Sequence, residues 1–271
     1  MDDAEQIVWF NGDLMPSHEA VVAATDPVVQ VGVGLFETIL GVDGRPVWLN
    51  QHLQRLEEGL MRFEILGPPS DELRGVLVDA ARRLCAANQA SEGLSRLRFT
   101  LTAGGDALLT GVPYERPTEP AILATSAYLR NPYSPLVGLK STSYAESALA
   151  LAEAQNSDAT EALFGNTDGD LCEGSCTNVF VVKDGRIATP ALSSGCLPGI
   201  ARATLLEALA ETDHEVEERS IPMAEVDAAD EVFITSSLRL VQAVAQIDGR
   251  DLRGGSGPVT QIAAQALSQL A

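Results

Sequence analysis

The chain has 271 residues, 45% of them apolar, with a formal net charge of −20 and a sequence pI near 4.4. That length and apolar content suit one large core or two smaller ones, while the acidity removes the basic footprint that nucleic acid or an anionic membrane surface needs. No apolar run has the length of a membrane span, and the start, MDDAEQIVWFNGD, lacks the basic and apolar regions of a signal peptide.

Residues 6–10 (QIVWF) read as a strand closed by the turn pair Asn11-Gly12. LFETILG at 35–41 and PVWL at 46–49 read as two strands joined through Asp43-Gly44. A helix follows, with Asn50 as N-cap and Leu53, Leu56, Leu60 and Phe63 on one face. GPPS breaks the chain at 67–70, and Ser70 caps a second helix with Leu73, Val76, Leu77, Ala80 and Leu84 as its stripe. LSRLRFTLT at 94–102 alternates, with Leu97, Phe99 and Leu101 on one face and Arg96, Arg98, Thr100 and Thr102 on the other. Residues 104–120 read as a long loop, and AILATSAYL as the next strand.

These elements predict an α+β domain over 1–129. RNPYSP at 130–135 is the expected linker, and 136–271 the second domain. That domain opens with a helix over 144–155, a strand over 160–165 and a turn from Asn166 to Asp170. NVFVV and RIATP form a hairpin, and Pro198-Gly199 opens a helix carrying Ile200, Leu205, Leu206 and Leu209. HEVEERSI, EVFITS and LRLVQAVAQID read as strands, and 258–270 as a closing helix. Cys85, Cys172, Cys176 and Cys196 lack CxxC spacing and the three histidines are scattered, so no metal site is expected. A cytoplasmic protein with reduced thiols is the expectation.

Only two lysines are present. Lys183 sits beside Asp184-Gly185 at a hairpin tip, which leaves Lys140 as the candidate for amine chemistry. Glu173 stands among Cys172, Gly174, Ser175 and Cys176, small side chains that leave room for a flat ligand, with Thr177 and Asn178 near to orient it; a glutamate in a surface turn has the same pattern. The helix start at Gly199, Ile200 and Ala201 offers unpaired N–H groups to a phosphate, or is a plain helix start. Ser236 and Ser237 end a strand with two hydroxyls, and Arg55 adds a cation or lies on a helix surface. One lysine, one carboxylate for a ring nitrogen and several phosphate-holding groups form the set that pyridoxal 5′-phosphate (PLP) requires.

Across LCEGSCTNVFVVKDGRIATPALSSGCLPGIAR the sequence resembles the class IV aminotransferase family, the fold-type IV PLP enzymes. GVGLFETIL resembles the family's glycine-rich strand, HLQRL its arginine-bearing helix, LKSTSYAESALA its lysine segment, and EVFITSSLRLVQAV its last phosphate-contacting strand. The resemblance implies a D-amino acid aminotransferase-like fold, with a small N-terminal α+β domain, a larger C-terminal domain, PLP between them and a homodimer. It implies Lys140 as Schiff-base lysine and proton shuttle, and Glu173 on the pyridine nitrogen. It implies Arg55, the backbone of Ile200 and Ala201, and Ser237 on the phosphate, beside Ser236 and Asn178. The sequence departs from the family pattern at Val33, where Asp is frequent, and at Ala201, where Thr is common, and its Tyr144-Ala145 differs from the branched-chain enzymes.

Thr38 after Glu37, and Ser-Leu-Arg at 237–239, look more like the 4-amino-4-deoxychorismate lyases than the branched-chain or D-amino acid aminotransferases. The implied reaction eliminates pyruvate and leaves 4-aminobenzoate. Lys140 is then the base, Thr38 assists proton delivery, and Arg96, Arg98 or Arg239 holds a substrate carboxylate. For Arg98, a strand arginine on a solvated face is the other reading. The alternative activity is transamination of branched-chain or D-amino acids with a 2-oxo acid, using the same lysine.

Overall fold

The computed structural model describes residues 6–65, 67, 70–210, 212–252 and 256–271. They form two compact units, one of residues up to Arg116 with Leu139–Ser143, the other of Pro117–Gly138 with Tyr144–Ala271.

The first unit holds β1 (Ile7–Phe10), β2 (Asp13–Pro16), α1 (Pro27–Val31), β3 (Gly34–Val42), β4 (Arg45–Pro46), α2 (Leu49–Phe63), α3 (Ser70–Ala87), β5 (Leu94–Thr102) and β6 (Ala107–Pro113). Its strands form an antiparallel sheet in the order β2-β1-β6-β5-β3-β4. Side chains alternate across a strand, so Leu35, Ile39, Leu97, Phe99, Leu101 and Leu109 share one face. That face buries against Leu53, Leu56 and Leu60 of α2 and Leu77 and Leu84 of α3. The other face carries a row in which Thr38 lies opposite Arg98, and Arg98 opposite Thr110.

Several expectations are corrected here. Residues 107–113 are not loop but β6, whose Leu109 is buried in the core; the glycines and prolines on either side hide a strand that pairs with β5 after a short turn. Of PVWL, only Pro46 is in a strand, at the end of β4. Trp48 takes a left-handed conformation (φ +53°), reverses the chain and itself stands at the N-cap of α2, so Asn50 lies inside the helix. The break at 67–70 falls largely on positions 68 and 69, outside the described residues, as does the capping expected of Ser70's side chain. α1 is an element not expected from the sequence, and Asp26 caps it by accepting from the Val28 N–H at 2.8 Å.

The second unit holds β7 (Ala121–Thr125), α4 (Ala145–Asn156), β8 (Glu161–Gly165), β9 (Leu171–Gly174), β10 (Asn178–Lys183), β11 (Arg186–Pro190), α5 (Ile200–Leu209), β12 (Val216–Arg219), α6 (Met223–Asp227), β13 (Glu231–Ser236), β14 (Leu240–Ile247), β15 (Arg250–Asp251) and α7 (Pro258–Ser268). Its sheet runs β12-β11-β10-β13-β14-β7-β8-β9, with β15 on β14. The β10–β11 hairpin turns at Asp184-Gly185, both at positive φ, as a tight hairpin demands. Strands β10 and β13, buried along most of their length, read as apolar runs, and Phe180 stacks on Phe233 with centroids 4.8 Å apart. The stretch 130–135 belongs to this unit. Arg130 bridges to Asn166 and its N–H donates to the Gly165 carbonyl at 3.0 Å, which fastens it beside β8. Among the described residues no helix is long and apolar enough to cross a membrane.

Candidate active site

Lys140 belongs to the first unit because its segment pairs with the start of β3. The Phe36 N–H donates to the Lys140 carbonyl at 2.9 Å, and the Thr142 N–H to the Gly34 carbonyl at 2.9 Å. The Thr142 and Ser143 hydroxyls both donate to the Gly32 carbonyl, at 2.6 and 3.0 Å. Gly32 sits at φ +71°, and a Cβ there would lie 2.7 Å from the Ser143 hydroxyl. The glycine of the GVG motif thus lets the lysine segment approach. The Lys140 ammonium lies 4.6 Å from the Phe36 ring centroid, and the Arg98 guanidinium 3.7 Å from it. Thr38 is half-buried beside Arg98, while Arg96 and Arg98 are exposed on β5.

Below that face, α2 places His52 and Arg55 three residues apart, on one side of the helix. Both turn inward to Glu37. Arg55 donates from Nε to Glu37 Oε1 at 2.9 Å and from Nη2 to Oε2 at 2.6 Å, and His52 Nδ1 lies 2.7 Å from Oε2. All three are buried. Burial alone raises the Glu37 pKa, but the Arg55 charge and the hydrogen bonds from His52 and Arg55 outweigh it and hold the carboxyl at about 2. Burial lowers the His52 pKa, and the Arg55 and Lys140 charges push the same way, against Glu37. A neutral His52 therefore donates its Nδ1–H to an ionised Glu37.

In the second unit, β9 presents Glu173 with a side chain 12% exposed. Arg130 Nε donates to Oε1 at 3.1 Å, and the Leu197 N–H to Oε2 at 2.9 Å. Arg130 also pairs with Glu146, donates to the Ser147 hydroxyl at 2.6 Å, and lies over the Phe164 ring at 4.0 Å. Burial first, and the Glu173 charge second, raise the thiol pKa of Cys172 and push that of Cys196 up to about 11. The Tyr144 hydroxyl donates to the Ser175 carbonyl at 2.6 Å, and burial raises its pKa.

Asn178 donates from Nδ2 to the Leu197 carbonyl at 2.8 Å. Two residues on, Gly199 is the N-cap of α5 with no side-chain cap, and Ile200 and Ala201 are buried. Among the described residues neither of their N–H groups meets an acceptor. Buried helix-start donors of this kind need a partner, and an anion meets that need. At the β13–β14 turn the Ser236 hydroxyl accepts from the Arg239 N–H at 3.1 Å, with Ser237 next in the loop. The Arg239 guanidinium is committed: Nη2 lies 3.3 Å from Oε2 of the fully buried Glu161, and Nη1 donates to Gln242 at 3.2 Å.

Comparison with known proteins decides what these residues belong to. The family described as Amino-transferase class IV matches residues 34–247. The chain belongs to the class IV aminotransferases. Members of this family are PLP-dependent transaminases or lyases, and this chain has their fold-type IV architecture. It is 28% identical over 289 residues to the branched-chain-amino-acid aminotransferase-like protein 2 of Arabidopsis thaliana, covering 99% of this chain but only 51% of that protein. The chain thus spans about half the length of that relative. It is 27% identical over 269 residues to the aminodeoxychorismate lyase of Bacillus subtilis, covering 94% of this chain and 91% of the lyase. The crystal structure of Escherichia coli branched-chain amino acid aminotransferase superposes with a TM-score of 0.87 at 25% identity, covering 98% and 94% of the two chains.

The donor set of this class IV chain fits PLP. A carboxylate, acceptor only, suits a protonated ring nitrogen, and the uncapped, buried start of α5 suits a phosphate. Three supporting residues escaped the sequence reading. Glu37 carries no signal of its own in the sequence, His52 is marked only by its three-residue spacing from Arg55, and Arg130 is hidden in a proline-flanked stretch that reads as linker. Its signal was that it is the sole arginine between Arg116 and Arg186.

Proposed function

We propose that this class IV enzyme is a lyase that eliminates pyruvate from 4-amino-4-deoxychorismate and leaves 4-aminobenzoate, in the folate branch. The observation that supports it is the row on the first unit's sheet, where the Thr38 hydroxyl stands opposite the Arg98 cation, on the face that carries Phe36. In this reading Lys140 Nζ takes the proton from the amine-bearing carbon. Bound PLP supplies the electron sink for that carbon. Thr38 Oγ1 delivers a proton to the oxygen of the leaving enolpyruvyl group, which departs as pyruvate while the ring becomes aromatic. Arg98 holds a substrate carboxylate.

Glu173, fixed by Arg130, keeps the ring nitrogen protonated. Arg55, Ser236, Ser237 and the N–H groups of Ile200 and Ala201 hold the phosphate, and Glu37 aims Arg55. The same reading makes the protein a cytoplasmic homodimer acting on a small-molecule amine.

The names of several relatives favour a second reading, an aminotransferase for branched-chain or D-amino acids. One two-substrate assay separates the two. Incubated with PLP and 4-amino-4-deoxychorismate, the protein is expected to release pyruvate and 4-aminobenzoate without any amino acceptor. Conversion of 2-oxo acids with an amino donor, with aminodeoxychorismate left untouched, overturns the lyase.

A further inference from the structure

We propose that Asn178 is a positioning residue that couples the ring-nitrogen carboxylate to the phosphate-binding helix start through the single residue Leu197. The proposal rests on the PLP roles given above to Glu173 and α5, and all of its geometry lies within the second unit.

The Leu197 residue is gripped from both sides. Its N–H donates to Glu173 Oε2 at 2.9 Å, and its carbonyl accepts from Asn178 Nδ2 at 2.8 Å. Peptide planes flanking one residue turn only about φ and ψ, so holding the carbonyl restricts where the N–H can point, and with it the rotamer of Glu173. Asn178 is itself held in place by its surroundings. It is 6% exposed, and its backbone sits in the ladder opposite Thr235 of β13.

The other end of the Asn178 amide lies on Gly199. A Cβ at 199 would stand 1.9 Å from Asn178 Oδ1 and 3.1 Å from Cγ. Gly199 has φ −68° and ψ 137°, a conformation open to any residue, so its lack of a side chain is required by Asn178 and not by the backbone. One amide thus fixes the carbonyl of residue 197 with its nitrogen and the entry of α5 with its oxygen. Movement at either end is transmitted to the other: loosening Leu197 frees Glu173, and lifting residue 199 displaces the N–H groups of Ile200 and Ala201.

Asn178→Asp keeps the shape, removes the donor and puts a charged acceptor against the Leu197 carbonyl. Asn178→Ala, Gly199→Ala and the Asn178→Ala/Gly199→Ala double variant complete the set. PLP dissociation constants are measured by equilibrium dialysis on chains whose far-ultraviolet circular dichroism matches wild type. The pH at which the visible absorbance of bound PLP changes is read alongside. Asn178→Asp is expected to weaken PLP about tenfold or more, in line with other residues that orient a ligand from behind, and to move the absorbance transition through Glu173. A merely structural role leaves that transition in place. Gly199→Ala should weaken PLP strongly in the wild-type background and much less when Asn178 is already alanine.

Equal PLP affinity and an unmoved transition in Asn178→Asp overturn the proposal. So does a Gly199→Ala loss of the same size in both backgrounds, a comparison that stands even if Asn178→Asp does not fold. A wild-type chain that takes up no PLP overturns the assignment of Glu173 and α5 instead.

Discussion

Arg55 and Glu37 meet in a two-pronged, buried ion pair, with contacts of 2.9 and 2.6 Å, and the His52 ring closes the second carboxylate oxygen at 2.7 Å. Such a pair is costly to bury and far costlier to break, because the surviving charge loses its buried counter-ion. Glu37→Gln is expected to lower the unfolding free energy at pH 7 by about 3–5 kcal/mol. Urea denaturation measures it. A loss below about 1 kcal/mol, the scale of an exposed pair, would show that the Arg55 charge finds water or another acceptor.

The same cluster sets an acid limb in stability. Glu37 has a folded pKa of about 2 against its ordinary 4.5, so its stabilisation is complete above 4.5 and is lost as pH falls towards 2. At 1.36 kcal/mol per pKa unit, the swing is roughly 3 kcal/mol. His52 is also depressed below its ordinary 6.5, so the unfolded chain takes up its proton first and stability starts to fall below 6.5. His52→Gln keeps a donor but does not titrate. Subtracting its stability-versus-pH curve from that of wild type should leave a slope that begins as the pH falls below 6.5, where the unfolded histidine takes up its proton and the folded one does not. A flat difference there would mean that His52 takes up its proton as readily in the fold as in the unfolded chain.

Much of this was legible before the fold, and what was not has identifiable causes. The alternation of LSRLRFTLT gave β5 and its exposed arginines because a half-buried strand must alternate. The β10–β11 hairpin followed from Asp184-Gly185 for an equally local reason. Residues 107–113 did not announce themselves, since a seven-residue strand between glycine and proline clusters carries too little pattern to outweigh them. Glu37 was invisible as a buried charge. Its neighbours Phe36 and Thr38 face the other way, and only the tertiary approach of α2 supplies the cations that let a carboxylate be buried there. Arg130 was lost in the same way, because its partners Glu146 and Glu173 lie far along the chain.

The lysine assignment admits a direct spectroscopic check. Lys183 is more than half exposed and pairs with Asp230 at 3.1 Å on a hairpin, while Lys140 is half-buried over Phe36. Lys140→Ala is expected to abolish the visible absorbance of lysine-linked PLP after dialysis, and Lys183→Ala to leave it unchanged. If both variants stay yellow, Lys140 is not the attachment point.

Two arginines compete for the substrate carboxylate, and their surroundings predict opposite signatures. Arg239 faces Glu161, whose Oε1 accepts from the Ser175 hydroxyl and from backbone N–H groups but whose Oε2 makes no hydrogen bond. Arg239, at 3.3 Å, is therefore the cation that balances a fully buried charge. Arg239→Gln should cost about 3 kcal/mol of stability or more, with KM little changed in the protein that still folds. Arg98 lies exposed on a sheet face over Phe36, so Arg98→Gln should cost no more than about 1 kcal/mol of stability, the value of a surface cation–π contact. It should also raise KM by about tenfold or more, the value of one hydrogen bond to a charged group. Thermal melts and steady-state kinetics on both variants separate the roles. If Arg239→Gln raises KM without loss of stability while Arg98→Gln leaves KM alone, the carboxylate is held at the β13–β14 turn, and the Thr38–Arg98 row loses its place in the proposed elimination.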